Sequence, residues 1–450
     1  MKTPHPSTIT QGPILPALLR YYFPIVLGTF FQMLYNTADA IIVGRFVGKE
    51  ALGAVGGSTG TLVSLFIGFF AGLGSGASVV ISQQYGARNR EGIFRSVHAT
   101  VALAIASGLL LTVIGVGFAR TMSTLIGAEG LLHRYCVQYL RIYFSGTVFV
   151  LIYNLGTGIL RAIGDSRRPL SYLVVCCFVN ILLDLLLVGV LKMEVAGAAL
   201  ATILSQTVSA LLVLSALIRS RDAIRLFPRK IRFYGRELTQ ICRIGMPSGL
   251  QSTMYAISNV LIQSSINRFS TDVIAAWSAF ARVDTFFWMA LGALGTSVCT
   301  FIGQNYGAGN PDRIRRCVRL GLALGAGLSV VLSIVMRCFG YNLLSLFSRD
   351  TSVLQTGLEI VRFMTPWYVA FVCIEILAAS LRGMGDSLIP MLLTCGGVCG
   401  MRVCWLLLSG KLWPGRLLVM LSCYPLTWVA TSTLFVVYYI SFTKRRGIPL

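Results

Sequence analysis

Four acids stand inside long apolar runs of this chain: Asp39, Asp184, Asp284 and Glu375. A charged side chain at mid-bilayer costs about 3 kcal/mol even on insertion scales. A chain that keeps acids in such places uses them. Asn180 precedes Asp184 by one helical turn, so the two share a helix face. Thr202 places a hydroxyl in the next apolar run. Two carboxylates, an amide and a hydroxyl are hard oxygen ligands. They suit Na⁺, or a coupled pair of carboxyls that holds protons. A buried hydrogen-bond network that holds helices together is the other use for such groups. The sequence alone does not show Asp39 meeting the rest.

Further polar groups surround these acids. Gln32, Tyr35 and Asn36 lie one or two turns before Asp39, and Asn154 sits in another apolar run. They are candidates for lining a substrate cavity or for bonding helix to helix. Tyr255 and Glu375 are the corresponding candidates in the second half. Pro24 lies upstream of Asp39 and permits a kink. That kink is either static or a bend that responds to a cation or proton at Asp39.

The elements that position these residues are set by the solvent. The chain has 450 residues, 55% hydrophobic and 12% charged. A soluble domain carries about 25% charged residues. Continuous apolar runs of about 20 residues call for membrane-spanning helices rather than barrel strands. Twelve spans are expected, near 20–44, 52–82, 96–119, 134–161, 169–191, 195–218, 240–267, 273–304, 316–338, 354–382, 388–409 and 416–441. No cleavable leader is read at the N-terminus. Of the 38 Lys and Arg residues, 24 fall on the side that holds both termini. By the positive-inside rule that side is cytoplasmic, which predicts a multi-pass protein of the plasma (inner) membrane. The formal charge of +22 is then topology and attraction to anionic lipid, with no nucleic-acid partner. The basic stretch 219–237 reads as a cytoplasmic linker on lipid headgroups. It separates a lobe at 1–218 from one at 238–450. The twelve cysteines and three histidines form no metal-ligand spacing, so no cofactor and no metal beyond a coupling Na⁺ is expected.

The chain repeats itself. LRAIGDS (160–166) returns as LRGMGDS (381–387), and QQYGARN (83–89) as GQNYGAGN (303–310). Pro24 pairs with Pro247 and Asn36 with Asn259. The reading is a duplicated six-helix unit. Two such halves insert with the same orientation and suit alternating access.

In length, span count, repeat and motif order the chain resembles the multidrug and toxic compound extrusion (MATE) family, and within it the DinF-like branch. PIVLGTFFQMLYNTADAIIVGRF, VNILLDLLL and VAGAALAT carry the likeness along with the repeated phrases. The resemblance implies an all-α MATE fold of 12 transmembrane helices in two six-helix repeats. It implies that Asp39, Asn180, Asp184 and Thr202 together form a cation site for H⁺ or Na⁺, and it supports Gln32 and Tyr35 as cavity residues. Acids that serve the NorM-like branch in the second half are absent: Tyr255 and Phe371 occupy those positions. There Arg402 aligns with Ile181, beside the first half's Asn180. Arg402 is expected either to pair with Glu375 or to snorkel to an interface.

The expected activity is secondary antiport: export of amphipathic, often cationic, organic compounds by a monomer in the lipid bilayer, driven by H⁺ or Na⁺ influx. The alternative is a flippase for a lipid-linked or amphiphilic substrate. No nucleophile or metal constellation marks an enzyme.

Overall fold

A computed structural model describes residues 9–448, apart from the side chains of Ser58 and Thr61. Lys2 and His5 lie outside the described residues. Among those described there is no strand. Ten helices among the described residues are long and apolar enough to cross a membrane, or eleven when one bent pair counts as a single span. The fold is thus all-α and polytopic.

Chain contacts divide the molecule into two units, with Leu19–Gly249 in the first and Gly12–Leu18 plus Leu250–Leu450 in the second. The first unit contains α1 (Ile14–Phe46) from Leu19 onward, α2 (Lys49–Gly56), α3 (Ser58–Gly86), α4 (Arg90–Gly117), α5 (Ala119–Leu125), α6 (Gly130–Ser145), α7 (Thr147–Ala162), α8 (Arg167–Asp184) and α9 (Glu194–Ile218). α8 runs on into a π-helical segment, Leu185–Val190. α7 is the hub, packed against α3, α4 and α9. Its core includes Leu151, Leu155, Ile159 and Leu160 with Ile81, Val97 and Val213.

Glycine explains two breaks in the expected spans. The span expected at 52–82 divides at Gly57 into α2 and α3. The span expected at 134–161 is the bent pair, α6 and α7, turned by 53°. Gly146 stands at that bend, and a Cβ there would collide with the Ile203 side chain of α9.

The basic stretch after α9 docks on this unit rather than lying loose. Ile224 and Leu226 are fully buried in its core. The Phe227 N–H donates to Nε2 of His98 at 3.0 Å, so Nδ1 carries the proton and donates to the Phe94 carbonyl at 2.7 Å. The cations point outward, with Lys230 over the rings of Phe94 and Phe227.

α10 (Gly235–Ile266) begins in the first unit. There it crosses α3 on glycine. A Cβ at Gly76 would lie 2.5 Å from the Gly245 nitrogen, and one at Gly249 would lie 2.5 Å from the Phe69 carbonyl oxygen. Small residues at one-turn spacing are what such a crossing needs in lipid. α10 is 32 residues long, but its Ser, Thr, Gln and Asn residues leave it less apolar than the other long helices.

The second unit continues with α11 (Thr271–Gly307), α12 (Pro311–Cys338), α13 (Gly340–Ser345), α14 (Thr351–Met364), α15 (Tyr368–Gly383), α16 (Leu388–Leu393), α17 (Met401–Leu412), α18 (Leu417–Leu421) and α19 (Cys423–Arg445). A 3₁₀ turn at Pro366 joins α14 to α15, and a π-helical segment, Thr394–Gly400, joins α16 to α17. α15 is the hub here, packed on α11, α12 and α19. Arg313 donates to Asn305 and to the Gly12 carbonyl, which pins residues 12–18 to this unit.

The repeated phrases fold alike. LRAIGDS and LRGMGDS end the hub helices α7 and α15, with Gly164 at φ 94° and Gly385 at φ 93°. Asp165 N–H donates back to Leu160 and Asp386 N–H to Leu381. Their acids differ in use. Asp165 Oδ1 accepts the N–H groups of Arg167 and Arg168, while Asp386 accepts the Tyr438 hydroxyl. Capping of α8 therefore falls to Asp165, and Ser166 makes no side-chain cap.

Candidate functional site

The Asp39 and Asp184 carboxyls are close enough to interact electrostatically. Asp39 is 6% exposed, Asp184 and Asn180 are fully buried, and Thr202 is 6% exposed. α8 packs along α9, where Ala196, Gly197, Ala198, Ala199 and Ala201 keep the interface thin. A Cβ at Gly197 would sit 3.1 Å from the Leu187 backbone. Asp184 is the last α-helical residue before the π segment, and a π turn of this kind is frequent at functional sites. α1 flanks α8, since a Cβ at Gly28 would sit 3.6 Å from Leu173.

The chemistry of the site is an excess of acceptors. Asp39 Oδ1, both oxygens of Asp184, and both Oδ1 and Nδ2 of Asn180 are buried without a hydrogen-bond partner. Folded proteins pair roughly 90% or more of their buried polar groups. Each orphan costs about 1–3 kcal/mol. Four of the five are acceptor oxygens, which one shared proton or cation would satisfy, and the fifth, Asn180 Nδ2, is a donor. Carboxylates accept and do not donate, so two of them side by side must share a proton or a cation. The Thr202 hydroxyl donates to the Ala198 carbonyl at 3.0 Å, which leaves its oxygen lone pairs available. The ligand atoms present are all hard oxygens, which fits Na⁺ as well as protons.

Tyrosines surround this pair. Tyr35, one turn before Asp39, is within electrostatic reach of it and of Tyr143 and Tyr153. Tyr139 is within reach of both acids and stacks on Tyr143 at 5.9 Å. Tyr139 and Tyr143 were not among the expected site residues. Their signal is legible in hindsight: Tyr135, Tyr139 and Tyr143 recur every fourth residue on α6. Gln206 was missed too. It lies one turn beyond Thr202, 6% exposed, and its Oε1 has no partner.

The other candidates are less buried than the acid pair. Gln32 and Asn36 share its helix stripe but are exposed. Asn154 is half-buried and donates to its own helix at Val150 O, 2.9 Å. Pro24 lies inside an unbroken α1.

The second unit contains a cavity of about 490 Å³, lined by Tyr255, Asn259, Trp277, Asp284, Trp288, Phe371, Glu375, Arg402 and Tyr424 among others. Asp284 sits in an aromatic cage, where Tyr368 donates to its Oδ1 and Trp288 to its Oδ2 at 2.6 Å. Phe287 stacks on Tyr368 at 4.0 Å. Neither expectation for Arg402 describes its geometry. No ion pair among the described residues joins it to Glu375, and at 3% exposure it does not snorkel. Its guanidinium instead lies over the Tyr424 ring, 4.4 Å from the centroid.

A bundle of apolar helices with buried, unpartnered acids and an internal cavity is the construction of a membrane transporter. The MatE family profile matches the chain twice, at residues 24–186 and 247–406, and the chain belongs to that family. It is 29% identical over 462 residues to the probable multidrug resistance protein YoeA of Bacillus subtilis (strain 168), covering 100% of this chain and 99% of that one. Its fold is similar to a crystal structure of MATE in the bent conformation, with TM-score 0.91, 23% identity and 100% of each chain covered. It is also similar to MATE in the straight conformation, with TM-score 0.90, 22% identity and 99% of each chain covered. Members of the family are transporters, not enzymes.

Proposed function

We propose that the chain is a secondary antiporter that exports amphipathic, often cationic, organic compounds in exchange for H⁺ or Na⁺. The observation that carries this is the acid pair Asp39–Asp184, with five buried polar atoms of the site unpartnered. Asp39, Asn180, Asp184 and Thr202 hold the coupling ion, and Tyr139 and Tyr143 shape its surroundings. Gln32, Tyr35, Asn36 and Asn154 contact substrate in the first unit, and Tyr255 and Glu375 in the second. One charge falling through 100 mV supplies about 2.3 kcal/mol.

The export reading is supported by the relative named as a multidrug resistance protein. Alternating access is supported by MATE structures in bent and straight conformations, and Pro24 is the residue at which α1 changes its bend. We count α10 as a span beside the eleven found among the described residues, which makes twelve, six in each half. The two matched segments of the family profile support duplication. We place the chain as a monomer in the plasma membrane, termini cytoplasmic, with exposed cations of residues 219–237 at the headgroups. A flippase for a lipid-linked substrate is the second reading, favoured by the buried Arg402 in the cavity.

Proteoliposomes test the proposal. Efflux of a fluorescent organic cation is followed under a pH gradient or a Na⁺ gradient imposed separately. One gradient drives wild-type efflux, and Asp39→Asn and Asp184→Asn abolish the response. Unchanged gradient-driven efflux in both variants overturns the site assignment.

A further inference from the structure

The cavity of the second unit contains a cation that the chain does not neutralise. Arg402 is 3% exposed and belongs to no ion pair among the described residues. It makes one long hydrogen bond, to Ser258 Oγ at 3.4 Å. Its Nε is buried without a partner. The two acids on the same walls are engaged otherwise. Asp284 accepts from Tyr368 and Trp288. Glu375 presses on Gly295, whose missing side chain makes room for it. A buried guanidinium without an ion-pair partner is costly, and it is tolerated here beside a cavity large enough for a small organic molecule.

We propose that this cavity binds aromatic carboxylates, with the acid group on Arg402 and the ring against the aromatic walls. Guanidinium matches a carboxylate through paired N–H donors. One face of Arg402 is covered by Tyr424, which holds the plane of the fork. Tyr255, Trp277, Trp288 and Phe371 supply flat apolar walls, and Trp288 and Phe371 already meet edge to face at 4.7 Å. The position of Arg402 follows from the backbone. It comes two residues after the π segment Thr394–Gly400, and π turns change the face that following residues present. The transport reading also sets Tyr255 and Glu375 of this cavity against substrate, so a naphthoate preference here would leave cationic substrates to the first unit. Binding itself is measured without transport.

The test is equilibrium dialysis of three naphthalene probes against the purified full chain in nanodiscs: 1-naphthoate, 1-naphthamide and 1-naphthylmethylammonium. Wild type is expected to bind naphthoate about tenfold or more tightly than the other two, the ratio a charge-assisted bidentate pair gives. Arg402→Gln brings naphthoate down to the naphthamide level, and Phe371→Leu weakens all three alike. Where Arg402→Gln fails to fold, Arg402→Lys serves. It keeps the charge, loses the fork, and selectively weakens naphthoate. Equal binding of the three probes by wild type, or a naphthoate preference that survives at Arg402→Gln or is untouched by Arg402→Lys, overturns the proposal. Failure of cation efflux with the naphthoate preference intact would count against the antiporter reading alone.

Discussion

Asp184→Asn should make the protein more stable and less able to couple. The replacement is nearly isosteric, so packing of the fully buried site is kept. It removes one of two like charges and supplies an NH₂ donor to an Asp39 carboxyl whose Oδ1 has no partner. A hydrogen bond to a charged group is worth about 1.5–3 kcal/mol, which sets the expected gain. The wild-type protein recovers the difference only when the site is filled. An ion at 100 times its dissociation constant stabilises by about 2.7 kcal/mol. Thermal unfolding of purified protein, with Na⁺ and pH varied separately, reads both effects. Wild type should rise in melting temperature with whichever ion is coupled. Asp184→Asn should start higher and respond little. A variant that is destabilised yet keeps the full ion response would refute the reasoning, because the acids would then be structural and the ion bound elsewhere.

Further outcomes follow from single contacts. Gly249→Ala puts a Cβ 2.5 Å from the Phe69 carbonyl oxygen; overpacking of this kind costs about 1–3 kcal/mol, read as a lower melting temperature. Gly146→Ala should be destabilising by a similar amount, and Ile203→Ala in the same chain should restore part of it, since Ile203 is the side chain the new methyl meets. Arg88 holds φ 55° where the matching position of the second half is Gly309, so Arg88→Gly should relieve left-handed strain and raise stability by up to about 1 kcal/mol. Spin-label distances across α1 should change with the coupling ion in wild type and stay fixed in Asp39→Asn. Distances that ignore both would remove Pro24 from the mechanism.

Much of the fold was legible because lipid imposes a simple rule. A backbone without water must satisfy its own hydrogen bonds, so apolar runs become helices. Breaks were less legible. Nothing in the run IYFSGTVF (142–149) announces a bend, and the residue that a side chain at Gly146 would meet, Ile203, lies on another helix. The span expected at 240–267 forms the long helix α10, which is more polar than the helices apolar enough to cross a membrane. In the site, Asn180 and Asp184 were readable from one-turn spacing. Tyr139, Tyr143 and Gln206 were not singled out, because tyrosine or glutamine in an apolar run has many uses and only neighbours decide among them.

The sequence by itself determined the class of molecule, the internal repetition, and which acids had to be explained. Composition and periodicity suffice for that, since they act residue by residue. Tertiary structure alone decided which groups meet. Asp39 and Asp184 stand far apart in the chain and come within electrostatic reach because α1 and α8 flank one another. Glu375 and Arg402 are closer in the chain and form no ion pair, because one settles on Gly295 and the other on Tyr424. Charge sets what a residue can attract, but helix packing sets what comes within reach.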